Sequence, residues 1–134
     1  MGCSLCEGDG GALLWRDGHC RVVHPEVDGY PGFLRVVLGR HVAEMTDLGI
    51  DERARLMRVV FAAEGVLREL YRPDKVNLAS FGNQVPHLHW HVIARYRDDP
   101  HFPEPAWGPA QRVAAQREVV PTARLGARLS EMLA

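Results

Sequence analysis

No run of apolar residues in this 134-residue chain approaches the ~20 that a membrane-spanning helix needs. Charge of either sign is not in excess: 16 Lys and Arg face 17 Asp and Glu, a formal net charge of −1. Nothing in that balance would draw nucleic acid or a membrane surface non-specifically, although a local phosphate pocket needs only a few donors. Cysteine is scarce and odd in number, with 3 in the chain, two of them spaced as Cys3-x-x-Cys6. Metal ligands or free thiols are therefore expected rather than a disulfide framework, which suits a reducing compartment. Met1 to Cys6 shows neither a basic segment nor an apolar core of the kind that opens a secretory leader, so the cytoplasm is the expected location. There is no internal repeat. What is there is ordinary for one globular domain, 46% hydrophobic and 25% charged.

Two short apolar runs, Ala12 to Arg16 and His19 to His24, flank Asp17-Gly18 and predict a hairpin whose glycine supplies a positive φ. Pro25 to Gly32 is loop, and Phe33 to Leu38 (FLRVVL) is a third strand. The period then changes. Leu56, Val59, Val60, Ala63, Leu67 and Leu70 recur at three- and four-residue steps, predicting a helix over 52–71 with Asp51 as its cap. Lys75 to Phe81 and His87 to Ala94 are predicted strands joined through Gly82-Asn83 and Pro86. Prolines 100, 103, 105 and 109 exclude regular structure after Arg95, and a short tail helix is predicted over 122–133. The order β-β-β-α-β-β predicts an α+β fold: a mostly antiparallel five-stranded sheet packed by one long helix. Residues 1–96 form the core of the domain, and 97–134 are a proline-rich extension of that same domain.

The chemistry lies in His87-Leu88-His89-Trp90-His91-Val92-Ile93. On a strand, alternate residues face opposite ways, so the three histidines share one face while Leu88, Trp90 and Val92 enter the core. Core packing has no need of three aligned imidazoles. Alternate strand histidines can also ligate zinc, so a metal reading of the trio stays open on spacing alone.

This stretch resembles the signature of the histidine-triad (HIT) family, His-φ-His-φ-His-φ-φ with φ apolar, at every position. The element order agrees with that family over about residues 3 to 96, and the tail with Asp98-Asp99-Pro100-His101-Phe102 resembles a bacterial subgroup. The resemblance implies a homodimeric nucleotidyl hydrolase or transferase acting on a nucleoside phosphoramidate, a dinucleoside polyphosphate or a related conjugate. It makes His89 the nucleophile, places His91 on the α-phosphate, and has His87 hold structure around them. Asn77, Asn83 and Gln84 match positions that donate to phosphate; Glu26 and Asp28 lie in the loop that supplies a ribose ligand, where Asp28 could equally be a turn residue. One departure stands out: Phe33 falls where relatives often carry a further histidine. That puts the rate and substrate preference in question.

The chemistry is sound without the family. Donors offset the phosphate charge, and a neutral imidazole attacks with an uncharged lone pair while its other nitrogen keeps the proton. No cofactor is required. Cys3 and Cys6 need two more ligands for a closed tetrahedral zinc site, and His41 and His87 are the candidates, as in some relatives that bind zinc at matching places. Cys20 and His24 are weaker ligand candidates, Cys20 being better read as a core thiol. Trp90 is expected beneath the sheet. Trp107 could cover a nucleobase, meet a second subunit or anchor its loop, and His101 could reach the pocket mouth. Three readings stand together: a catalytic histidine-triad protein, a nucleotide sensor without turnover, and a zinc-stabilised interaction module.

Overall fold

A computed structural model describes residues 2–134. Five strands, β1 (Ala12–Arg16), β2 (Cys20–His24), β3 (Phe33–Leu38), β4 (Lys75–Ala79) and β5 (His89–Arg95), form one sheet in the order β1-β2-β3-β5-β4. Every neighbouring pair is antiparallel. The helices are a short α1 (Ser4–Glu7), the long α2 (Ile50–Tyr71) and α3 (Thr122–Met132) in the tail. No helix among the described residues is long and apolar enough to cross a membrane. This is the α+β architecture expected from the alternating periods of the chain.

Strand alternation divides the sheet into two faces. Leu34, Val36 and Leu38 of β3 pack with Leu56, Val59, Val60, Ala63, Val66 and Leu67 of α2 in the main core. Leu125 and Leu129 of α3 are fully buried in that same core. Gly126 lets α3 approach β1 closely, since a Cβ there would stand 2.7 Å from the Leu14 carbonyl oxygen. On the opposite face, Val23 and Val37 pack with Leu5 of α1, and Phe33 packs with Tyr30 and Ile93. That second face carries the functional site.

Several local expectations are corrected. Helix α2 starts at Ile50, with Gly49 rather than Asp51 at its cap; the Gly49 N–H donates to the Glu52 carboxylate at 3.4 Å. Asp51 instead sits in the first turn, where its charge complements the helix dipole. The β1–β2 turn does not use a positive φ at Gly18. Its hold is the Asp17 carboxylate, which accepts from the N–H groups of His19 and Cys20 at 2.7 and 2.9 Å. Strand β4 ends at Ala79, and β5 begins at His89 rather than His87. In the segment before α3, Arg112 donates to the carbonyls of Asp99 and Phe102, and Arg117 stacks on Tyr96.

The proline-rich extension is organised by a buried ion pair. Arg95 donates to Asp99 at 2.7 Å, with both side chains almost wholly enclosed. Asp99 also accepts from the N–H groups of Tyr96, His101 and Phe102. Burial alone would raise its carboxyl; the Arg95 guanidinium and these N–H donors outweigh it and hold it well below the ordinary carboxylate range. His101 stacks on Tyr30 and shares a 2.6 Å hydrogen bond with its hydroxyl, so it belongs to this knot.

Candidate active site

His89 and His91 point from β5 to the face opposite α2, into a cavity of about 520 Å³. The loop Phe81–Val85 lines one part of it, Ser4, Leu5 and Arg35 another, and Trp107 a third. Gly82 takes φ 69 at the start of that loop, which turns the chain as the Gly-Asn pair predicts. Asn83 and Gln84 are thereby brought to the cavity with the two histidines.

The His89 ring is fixed by its own chain. Its Nδ1 lies 2.6 Å from the His87 carbonyl oxygen. A carbonyl only accepts, so Nδ1 carries the hydrogen, and in the neutral ring Nε2 keeps its lone pair. The Ser80 hydroxyl donates to the His89 carbonyl at 2.6 Å and ties the end of β4 to this point.

His91 stands against His89 with ring centroids 5.0 Å apart. Phe33 and Trp107 pack on it edge-on at 5.6 and 5.0 Å. Its Nδ1 is buried without a hydrogen-bond partner among the described residues. Burial above all, then the neighbouring His89 and Arg35, push this imidazole down to about 4 from an ordinary 6.5. The ring is neutral at pH 7 and offers one donor and one acceptor. Between 6.5 and about 4 the unfolded chain binds a proton that the folded chain refuses, so stability falls as pH falls through that window. Urea denaturation at about pH 7 and about pH 4.5 should therefore show a larger acid loss for the native protein than for His91→Gln. Equal losses would mean that His91 titrates normally.

His87 lies just outside β5 and is fully buried. Its Nε2 donates to the Leu38 carbonyl at 2.6 Å, which turns the Nδ1 lone pair toward the N-terminus. There Cys3 Sγ and Cys6 Sγ lie 3.5 and 3.3 Å from His87 Nδ1, and His41 Nδ1 lies 3.3 Å from it. Cys6 Sγ is 3.4 Å from His41 Nδ1, and all four ligand atoms fall within 4.8 Å of one another. Zinc bonds of about 2.3 Å to sulfur and 2.0–2.1 Å to nitrogen make a tetrahedron with edges of about 3.3–3.8 Å. The donor set fits zinc in type, number and spacing. Cys20 is buried in the main core with its thiol pushed up to about 12 by burial, and His24 Nε2 donates to the Pro31 carbonyl; neither joins the cluster.

Other candidates fall elsewhere. Asn77 does not line the cavity: its side-chain oxygen accepts from Arg95 at 2.7 Å. Glu26 and Asp28 line a separate hollow beside Tyr30 and Ala114, because the turn closed by the Tyr30 N–H on the Val27 carbonyl carries them away from His89. Trp90 packs against the main core, as its place in the alternation predicts. Arg35, Phe81 and α1 were not anticipated as parts of the site. The signal for Arg35 was available: a charged residue in the middle of the apolar strand FLRVVL.

A histidine whose proton is directed to one ring nitrogen by its own strand, facing a cavity beside a buried neutral histidine, is an arrangement able to present a nitrogen lone pair to a ligand. A family model for the HIT domain matches residues 11–98. The chain belongs to the histidine-triad family. A solved histidine triad protein from Marinobacter aquaeolei superposes with TM-score 0.73 at 30% identity, covering 93% of this chain and 90% of that one. One from Sinorhizobium meliloti gives 0.71 at 28% identity, covering 92% and 90%. An AP-4-A phosphorylase of Mycobacterium tuberculosis is 36% identical over 78 residues, 54% of this chain. The chain spans only 40% of the length of that relative.

Proposed function

We propose that the protein is a nucleotidyl hydrolase or transferase that cleaves a nucleotide conjugate at its α-phosphate through a covalent intermediate on His89. The observation that carries this is the 2.6 Å hydrogen bond from His89 Nδ1 to the His87 carbonyl, which in the neutral ring keeps the proton on Nδ1 and the lone pair on Nε2 beside the cavity. Family membership supports nucleotide hydrolase or transferase chemistry in general, and the phosphorylase relative supports a dinucleoside polyphosphate as one substrate class. In the reaction, Asn83, Gln84 and the neutral His91 hold the phosphate oxygens. His89 Nε2 forms a bond to phosphorus while the bond to the leaving group breaks, and that group departs with the electron pair and takes up a proton. Water then attacks the same phosphorus, releasing the nucleoside monophosphate and restoring the His89 lone pair.

A zinc ion held by Cys3, Cys6, His41 and His87 belongs to the same proposal. Four protein ligands leave no open position, so its contribution is structural. The homodimer implied by the resemblance belongs to it too, with β4 as the sheet edge beside the strand that carries the histidines.

Phe33 favours a second reading, nucleotide binding without turnover, since its ring is buried against His91. One experiment separates the two. The protein is incubated with adenosine 5′-phosphoramidate and with diadenosine tetraphosphate, and AMP is followed by chromatography. Catalytic release of AMP from either supports the first reading; thermal stabilisation by AMP with no product supports the second. No effect of any nucleotide overturns both.

A further inference from the structure

Arg35 is the unexplained charge of the site. It stands in the middle of β3, paired in register with His91, while Val37 pairs with His89. Its side chain lines the same cavity as both histidines. Among the described residues the Nε atom is buried without a partner, and the guanidinium donates from Nη1 to the Gly10 carbonyl at 3.1 Å. The ion pairs among the described residues belong to other arginines: Arg16, Arg21, Arg40, Arg95, Arg117 and Arg128. Burial opposes the charge on Arg35, and no carboxylate among the described residues pairs with it to offset that cost. A guanidinium cannot escape by losing its proton, so its missing partner must come from outside the chain.

The geometry points to Arg35 as the seat of a second phosphate group on the substrate, apart from the one attacked by His89. This inference rests on the reading of the cavity as a nucleotide site. The α-phosphate already has its donors in His91, Asn83 and Gln84, around the nucleophile. Along β5, the position paired with Arg35 is one two-residue step from His89, about 7 Å at the rise of a strand. Arg35 lies one strand further across, on β3, so it stands farther from His89 than His91 does and suits a neighbouring anion better than the reacting one. The planar fork of a guanidinium matches two phosphate oxygens at once, and its partial burial strengthens the pairing. The second phosphate has two sources, a longer phosphate chain beyond the α position or a phosphate on the sugar.

The test is calorimetric titration of the native protein, Arg35→Gln and Arg35→Lys with AMP, ADP and adenosine 3′,5′-bisphosphate. The native protein binds at least one of the doubly phosphorylated ligands about 10- to 100-fold tighter than AMP, the scale of one charge-assisted pair. In Arg35→Gln that advantage collapses to about twofold or less, while AMP affinity stays close to native. Arg35→Lys, which keeps the charge without the fork, retains part of it. A gain for ADP alone assigns the site to the phosphate chain; a gain for the bisphosphate alone assigns it to the sugar. If neither ligand gains over AMP, or the gain survives Arg35→Gln, the inference falls while the nucleotide site stands. An equal loss for all three ligands makes Arg35 a strut for Gly10 and also overturns it. If AMP itself does not bind, the reading of the cavity falls with it.

Discussion

Replacing His89 with alanine lowers AMP formation on the order of 10⁴-fold or more, the scale on which covalent enzymes lose turnover with their nucleophile. The expectation follows from the ring's surroundings. The His87 carbonyl holds the proton on Nδ1, so Nε2 is the one imidazole nitrogen of His89 free to attack. His91 cannot take over, because it is packed by Phe33 and Trp107. Alanine leaves the sheet face and the loop Phe81–Val85 in place, so the variant keeps its melting temperature within a few degrees and still binds AMP. Substrate labelled at the α-phosphorus adds a second readout. In a single turnover quenched with base, the native protein retains label as an acid-labile phosphorus–nitrogen adduct, and His89→Ala retains none. Residual turnover above about one hundredth of native would place the attack on another group, water included.

The parts of this site that could be read along the chain are those governed by short periods. The three- and four-residue recurrence from Leu56 to Leu67 defined α2, and alternation placed Trp90 in the core and His89 and His91 on the opposite face. Those rules need only neighbours in sequence. What escaped depends on partners far along the chain. Asn77 matches a phosphate-binding position, but Arg95, 18 residues on, captures its side-chain oxygen. Glu26 and Asp28 lie in the expected loop, yet the turn at Val27–Tyr30 directs them to another hollow. His87 obeys the spacing of the triad but stands outside the strand, because its Nε2 is bound at Leu38 and its backbone has left the ladder. The short helix at Ser4–Glu7 has little helical pattern of its own. It is held by Arg21, which donates to the carbonyls of Leu5, Gly8 and Asp9.

Protein purified without chelator should contain about one zinc per chain, and stripping it should lower the melting temperature on the order of 10 °C or more. Without a cation, the His41 and His87 Nδ1 atoms face each other at 3.3 Å with two sulfurs beside them, an arrangement that brings lone pairs together. With zinc, the same four atoms become mutual anchors. The Nε2 hydrogen bond of His87 to Leu38 is the outer support that aims such a ligand. The ion would tie α1 and the His41 segment to the residue whose carbonyl orients His89. Most of the core lies on the other side of the sheet and does not depend on it, so the stripped protein should melt lower yet still cooperatively. Catalysis should suffer as well: a loosened His87 lets the His89 ring rotate, so kcat falls more than KM rises. Cys6→Ser, with three ligands left, should reproduce both effects and resist rescue by added zinc, whereas the stripped native protein recovers. A zinc content well below one per chain, or a melting temperature indifferent to chelation, would return Cys3 and Cys6 to ordinary thiols. Complete unfolding on chelation, with no response to nucleotides, would instead favour the zinc-stabilised module over the enzyme.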